Sequence, residues 1–224
     1  MRATMPSHTP AAPAPGARER ILLTAHELFY RDGIRATGID RVIAESGVAK
    51  LTFYRHFPSK NELVREFLEY RHRLWMTWFV DALQRHGGDS KALVPALGEW
   101  FYNGSYRGCA FINSVGELGE TLPEVVEITR RHKQDMADAI GHLLPASRQR
   151  KRQAIDLALA VDGAIIRAQF DPDPEAALAS LERIRKSLLG PDAEVPGANP
   201  NLVARGIGCQ ACPKLAISSR ILAP

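Results

Sequence analysis

Residues 37–60 read TGIDRVIAESGVAKLTFYRHFPSK, and this stretch packs two short helices, the turn between them and the start of a third into 24 residues. Thr37 stands three residues before Asp40, the spacing at which a hydroxyl caps the free N–H groups of a helix. Ile39, Val42 and Ile43 then fall on one face of that helix. Ser46 and Gly47 end it, glycine being the residue that tolerates the left-handed conformation of a sharp exit. A second short helix carries Val48, Phe53 and Phe57 at roughly helical spacing, which makes them its inward face. Its outward face is Lys50, Leu51, Thr52, Tyr54, Arg55 and His56, a mixture of cations, hydroxyls and one apolar side chain suited to phosphates and base edges. Pro58 stops the helix, and Ser59 to Glu62 is a second capping box that starts the next one. The pattern is a helix-turn-helix.

In Gly47-Val48, Ala49-Lys50-Leu51-Thr52, Tyr54, His56-Phe57 and Lys60, the stretch resembles the DNA-binding domain of the TetR family of bacterial transcriptional regulators. The resemblance covers about residues 17–65 and departs from the family pattern twice: Ala49 replaces the usual capping Ser, and Leu51 the usual Gly. Losing a cap costs about 1 kcal/mol, so the second helix must lean harder on Val48, Phe53 and Phe57. What the resemblance implies is a ligand-responsive regulator, a repressor, acting as a homodimer on a near-palindromic double-stranded DNA operator. Thr37, Tyr54, His56 and Lys60 would contact phosphates, and Lys50, Leu51, Thr52 and Arg55 would face the major groove or its rim. Gly38 stands where a hydroxyl is common in the family, so only its N–H is available to a phosphate. Two of these residues keep a second reading: Tyr54 as a staple between helices, and His56 as a packed aromatic.

The chain has 224 residues, 45% hydrophobic and 24% charged, ordinary values for a globular protein with a sizeable core. No run of about 18 apolar residues spans a bilayer. Residues 1–16 contain four prolines and lack the apolar core of a signal peptide, so they are expected to be a disordered leader and the protein cytoplasmic. The net charge of +4 is unevenly divided: residues 1–60 hold nine Lys or Arg against five Asp or Glu, and the rest of the chain holds twenty of each. The excess coincides with the helix-turn-helix and favours a polyanionic partner. Three cysteines are too few for a disulfide framework.

Outside the opening stretch the periodicity predicts helices throughout. The first runs from about Ala17 to Arg31, with Ile21, Ala25, Leu28 and Phe29 inward and Asp32-Gly33 as its stop. The fourth, from Lys60 to about Arg85, carries Leu63, Phe67, Tyr70, Leu74 and Trp78 and ends at His86-Gly87-Gly88. Further helices are expected over Ser90 to Tyr102, over Cys109 to about Leu118, and from a cap at Thr121-Leu122-Pro123-Glu124 to near Leu144. No strand-length alternation and no internal repeat appears. The fold class is therefore all-α: an N-terminal three-helix helix-turn-helix domain (17–60), a C-terminal helical ligand-binding and dimerisation domain (61–191), and a flexible tail (192–224).

Residues 151–170 leave hardly any polar face, so that helix must be covered on both sides. Asp171-Pro172-Asp173-Pro174 starts a last helix that ends at Gly190-Pro191. Ile155, Leu159, Ile165, Ile166, Leu178, Leu181, Ile184 and Leu188 on this pair either complete the monomer's core or form a dimer seam, since burial does not name its partner. The resemblance favours the seam, as TetR-like proteins usually dimerise through their last two helices.

Trp75, Trp78, Phe79, Trp100, Phe101, Tyr102 and Phe111 concentrate on helices that would surround a ligand cavity in this family. Roughly half are expected to line an apolar pocket and the rest to be core, with Asn103, Asn113 or His132 orienting a small-molecule effector. Cys209 and Cys212 have metal-pair spacing, but a structural zinc needs four ligands and the tail offers no more. No catalytic constellation, phosphate-binding glycine loop or cofactor motif occurs, so no cofactor is expected. The alternative is a helical small-molecule carrier or enzyme with a vestigial DNA-binding domain.

Overall fold

The structure, a computed structural model, describes residues 15–190. The greater part of the proposed leader and the whole of the proposed tail, with its Cys209 and Cys212, lie outside the described residues. Within them the order is α1 (Ala17–Asp32), α2 (Ile39–Ser46), α3 (Lys50–His56), α4 (Lys60–Arg85), a 3-10 turn (Ser90–Ala92), α5 (Leu93–Phe101), α6 (Ala110–Leu118), α7 (Pro123–His142), α8 (Arg150–Phe170) and α9 (Glu175–Leu189). Among the described residues every regular element is helical.

The first three helices close on one another through Ile21, Ala25, Leu28, Ile34, Val42, Phe53 and Phe57, all buried. Gly47 ends α2 in the left-handed region (φ 64°, ψ 33°), which turns the chain sharply into α3. The two departures from the family pattern take the form expected of them. Ala49 caps α3 without a side-chain hydrogen bond, and Leu51 points away from the core. At the start of α4 the Ser59 hydroxyl accepts the Glu62 N–H at 3.2 Å.

Two capping expectations are corrected. Thr37 does not cap α2: its hydroxyl donates to the Gly33 carbonyl at 2.7 Å, and Gly38 is the capping residue. The Thr121 hydroxyl likewise turns back to the Leu118 carbonyl, at 3.3 Å, leaving Pro123 at the first turn of α7 as the start signal. Both hydroxyls find an acceptor one turn behind them, which competes with the forward cap.

Helix α4 has 26 residues, a rod of about 39 Å at the helical rise, and packs on α1 at one end and on α5, α6 and α7 at the other. Its most buried stripe is Leu63, Phe67, Arg71, Trp75 and Phe79, at strict four-residue spacing. Tyr70 and Trp78 sit half-buried beside it. Helices α7, α8 and α9 pack in sequence, and α9 also covers α5. At that contact Gly98 faces Leu178, whose Cδ1 would meet an added Cβ at an ordinary van der Waals distance of 3.6 Å.

Candidate functional site

On α3, Phe53 and Phe57 anchor the helix while Lys50, Leu51, Tyr54, Arg55 and His56 face outward. Leu51 is 72% exposed, an unusual position for a leucine with no neighbour to cover it. Lys50 lies 3.4 Å from Asp40, a loose, exposed pair that a phosphate could replace. Tyr54 sets its ring edge-on to Phe53 at 5.3 Å and keeps 41% of its surface open, so stapling and outward reach coexist in one side chain. Thr52 is half-buried, and Gly38 is exposed at the start of α2. Lys60, at the first turn of α4, is partly buried, and this burial lowers its pKa. Thr37 is fully buried, so its assignment as a phosphate contact is withdrawn. Its hydroxyl is used inside the α1–α2 corner.

That corner is held from the far side of the molecule. Glu117 on α6 accepts the backbone N–H groups of Ile34 at 3.1 Å and Arg35 at 2.6 Å. Tyr30 on α1 donates its hydroxyl proton to the Gly108 carbonyl at 3.0 Å and accepts the Arg107 N–H at 3.0 Å. The loop before α6 and the end of α6 thus both grip α1 and its turn.

Between α4, α6, α7 and α8 lies a cavity of about 10 Å³, space for roughly one water. Of the aromatic set, Trp75, Trp100 and Phe111 line it, together with His132 from the polar candidates. Phe79 stacks on Trp75 at 4.5 Å, Trp78 contacts Trp75 and Trp100 at 6.1 Å, and Phe101 packs on Tyr106 at 5.2 Å, all outside the lining. His132 stacks on Phe111 at 3.7 Å, and its Nδ1 meets His72 Nδ1 at 3.1 Å. Burial, then the nearby Lys133, holds the His132 pKa well below the ordinary histidine range, so the ring is neutral. Three expected pocket residues are corrected. Tyr102 is 61% exposed with its hydroxyl 3.3 Å from Glu175. Asn103 Oδ1 accepts the Ser105 N–H at 2.9 Å, and Asn113 Nδ2 donates to the Arg107 carbonyl at 3.1 Å. Both amides shape the α5–α6 loop instead of facing the cavity.

Sequence reading missed three polar residues of this region. Arg71 and Lys133 line the cavity, and Glu117 clamps the corner. Arg71 had left a signal: it interrupts the apolar stripe midway between Phe67 and Trp75, where solvated arginine is not expected.

On the last two helices the structure divides the expected seam. Ile165, Leu178 and Leu181 are buried within the monomer, and Leu188 is half-buried against its core. These four are therefore corrected to internal packing. Ile155, Leu159, Ile166 and Ile184 remain exposed, joined by Phe170, with Leu159 at 73%. Helix α8 is thus apolar both on the side that packs against α7 and α9 and on the side that exposes Ile155, Leu159 and Ile166. Among the described residues, no helix is long and apolar enough to cross a membrane and no cluster of His, Cys, Asp or Glu is grouped to hold a metal ion.

Residues 21–67, which contain this helix-turn-helix, match the family described as bacterial regulatory proteins, tetR family. The helix-turn-helix is similar to the DNA-binding segment of that family. Two relatives extend the likeness. An uncharacterized helix-turn-helix-type transcriptional regulator from Lactococcus lactis is 26% identical over 106 residues, 45% of this chain and 54% of its own length. The Bacillus subtilis regulator YxaF is 44% identical over 55 residues, 24% of this chain and 29% of its own. The chain thus spans about half or less of these curated relatives. Among solved structures, the TetR-family regulator SCO4454 of Streptomyces coelicolor aligns with a TM-score of 0.68 at 29% identity, covering 77% of this chain and 89% of the other. Escherichia coli NemR shares the fold with a TM-score of 0.65 at 19% identity, covering 75% and 97%. The Lactococcus, Bacillus and Streptomyces proteins are named as transcriptional regulators, and the structural likeness to SCO4454 extends beyond the matched N-terminal segment to the later helices.

Proposed function

We propose that this protein is a ligand-responsive DNA-binding regulator that represses transcription as a homodimer on a near-palindromic operator. Residues 17–60 would be the DNA-binding domain and residues 61–191 the effector-binding and dimerisation domain. The observation that carries the proposal is the outward face of α3, where Lys50, Leu51, Tyr54, Arg55 and His56 are exposed on a TetR-type helix-turn-helix. Cations and hydroxyls there meet phosphates, and Leu51 is placed to touch a thymine methyl. In a dimer joined through α8 and α9, two copies of α3 would enter successive major grooves about 34–36 Å apart.

The cavity under α4 supports an effector role, because anything larger than a water must displace the helices that line it, α4 and α6 among them. Both helices lead to the DNA-binding domain, α4 through Lys60 and α6 through Glu117. A ligand shifts the regulator only if it binds the parted state more tightly than the closed one. Footprinting of the purified protein on the DNA flanking its own gene tests the proposal. Protection of a near-palindrome over random DNA is the expected result, and equal protection of both would sink it.

A further inference from the structure

Arg71 is 1% exposed at the centre of the molecule, and its Nη2 has no hydrogen-bond partner. Its Nη1 lies 3.3 Å from His26 Nε2, and its guanidinium sits over the Tyr30 ring at 4.0 Å. His26 brings no charge, because burial pushes its pKa down to about 3. Among the described residues no carboxylate pairs with Arg71. Lys133, the other cation on the cavity wall, is already neutralised by Asp162 at 2.5 Å. A guanidinium stays protonated in proteins, so the cavity wall carries one uncompensated positive charge, an arrangement that is strongly unfavourable unless something completes it.

A second orphan donor stands one helical turn along α4. Trp75 Nε1 is buried without a partner, and Trp75 lines the same cavity. The other walls are Trp100, Ala110, Phe111 and Ile165, which offer mostly apolar surface, with His132 and Cys109 as the remaining polar side chains and no carboxylate among them. Two unpaired donors, one net positive charge and apolar walls together describe the complement of a single carboxylate attached to an apolar body. A phosphate dianion would overcompensate the one charge, and a neutral ligand would leave it unmatched.

We propose that the effector is an apolar monocarboxylate whose two oxygens are taken by Arg71 Nη2 and Trp75 Nε1. This rests on the cavity being the effector site of the regulator described above. Since the closed cavity holds about one water, the body of the acid makes room by moving Trp75 or Phe111, and with them α4 or α6. The charge recognises the ligand and the displacement transmits it.

The test uses the full-length protein and matched pairs of benzoate, phenylacetate, 3-phenylpropionate and 4-phenylbutyrate with their neutral amides, read by tryptophan fluorescence and thermal shift. At least one acid should bind about tenfold or more tightly than its amide. Arg71→Met should abolish that preference, and Arg71→Lys should keep part of it. Without ligand, Arg71→Met should melt at or above the parent temperature, because an uncompensated buried charge has been replaced by apolar packing. No binding of any acid, equal binding of acid and amide, or a preference that survives Arg71→Met would each overturn the proposal. The last of these, with a lowered melting temperature, would make Arg71 a structural group served by water. Footprinting without ligand keeps the two proposals separable. Selective operator protection that only neutral compounds release would sink the carboxylate and leave the regulator. Arg71-dependent acid binding without operator preference would sink the regulator.

Discussion

Glu117 Oε1 accepts the Ile34 backbone N–H at 3.1 Å, joining the last turn of α6 to the corner between α1 and α2. Its other oxygen takes the Arg35 N–H, so one carboxylate satisfies two backbone donors that the corner itself leaves without acceptors. The opposite end of α6 places Ala110 and Phe111 on the cavity wall. One short helix therefore touches both the candidate effector site and the frame of the helix-turn-helix.

Glu117→Ala should lower stability by about 1 kcal/mol, since it leaves the part-buried Ile34 N–H unpaired while water can replace the bond to the exposed Arg35 N–H. It should also weaken the link between effector binding and operator release. Urea denaturation and ligand titrations of operator complexes measure the two effects. If stability falls but release is unchanged, transmission runs through α4 alone.

Among the residues proposed to face DNA, Lys60→Ala should weaken binding to all sequences alike and make the salt slope shallower by up to about 0.9. Leu51→Gly should change base preference instead, and selection from a randomised operator would reveal it. Thr37→Val serves as the contrast. Its hydroxyl bonds the Gly33 carbonyl inside the fold, so it should cost about 1 kcal/mol of stability and leave the affinity of the folded protein for DNA intact.

The divided seam makes opposite forecasts for adjacent residues. Leu159→Glu and Ile166→Glu place a charge on the exposed face of α8 and should yield folded monomers by sedimentation velocity. Ile165→Glu and Leu181→Glu place it among buried groups, 1% exposed in each case, and should unfold the protein. A folded Leu159→Glu, Ile166→Glu double variant that still sediments as a dimer would move the interface off this face.

Stability should fall on mild acidification. His26, with a folded pKa of about 3, and His132, held well below its ordinary value, are both neutral in the folded protein. Below about pH 6.5 the unfolded chain gains protons that the folded chain refuses, so stability is full above that value. It then declines by up to roughly 1.4 kcal/mol per pH unit for each such histidine. For His26 the decline continues toward pH 3. Between about pH 6.5 and 5 carboxylates contribute little, since their unfolded pKa values lie near 4. His26→Gln, which keeps an acceptor for Arg71, should flatten the decline in this window by about one proton's share. An unchanged slope in urea melts would show that His26 is protonated in the folded state.

The sequence by itself determined the helices and the helix-turn-helix, because both depend on local signals. Gly47 supplies the left-handed turn, Ser59 the cap, Pro123 the first turn of α7, and the spacing of Phe53 and Phe57 the buried face of α3. Each acts within a few residues of where it stands in the chain. Tertiary structure alone decided which of several available partners each ambiguous side chain took. The Thr37 hydroxyl had a forward N–H and a backward carbonyl within reach and took the Gly33 carbonyl. Ile165 and Ile166 are neighbours of one residue type, yet the 100° step of a helix puts the first against the monomer's core and leaves the second on the open face. Arg71 and Trp75 share a stripe with Phe67 and Phe79, and only the packing of α6, α7 and α8 around that stripe enclosed their unpaired N–H groups in one cavity. Periodicity records that a side chain is buried; what it is buried against is fixed by segments distant in sequence, and there the chemistry of the site was decided.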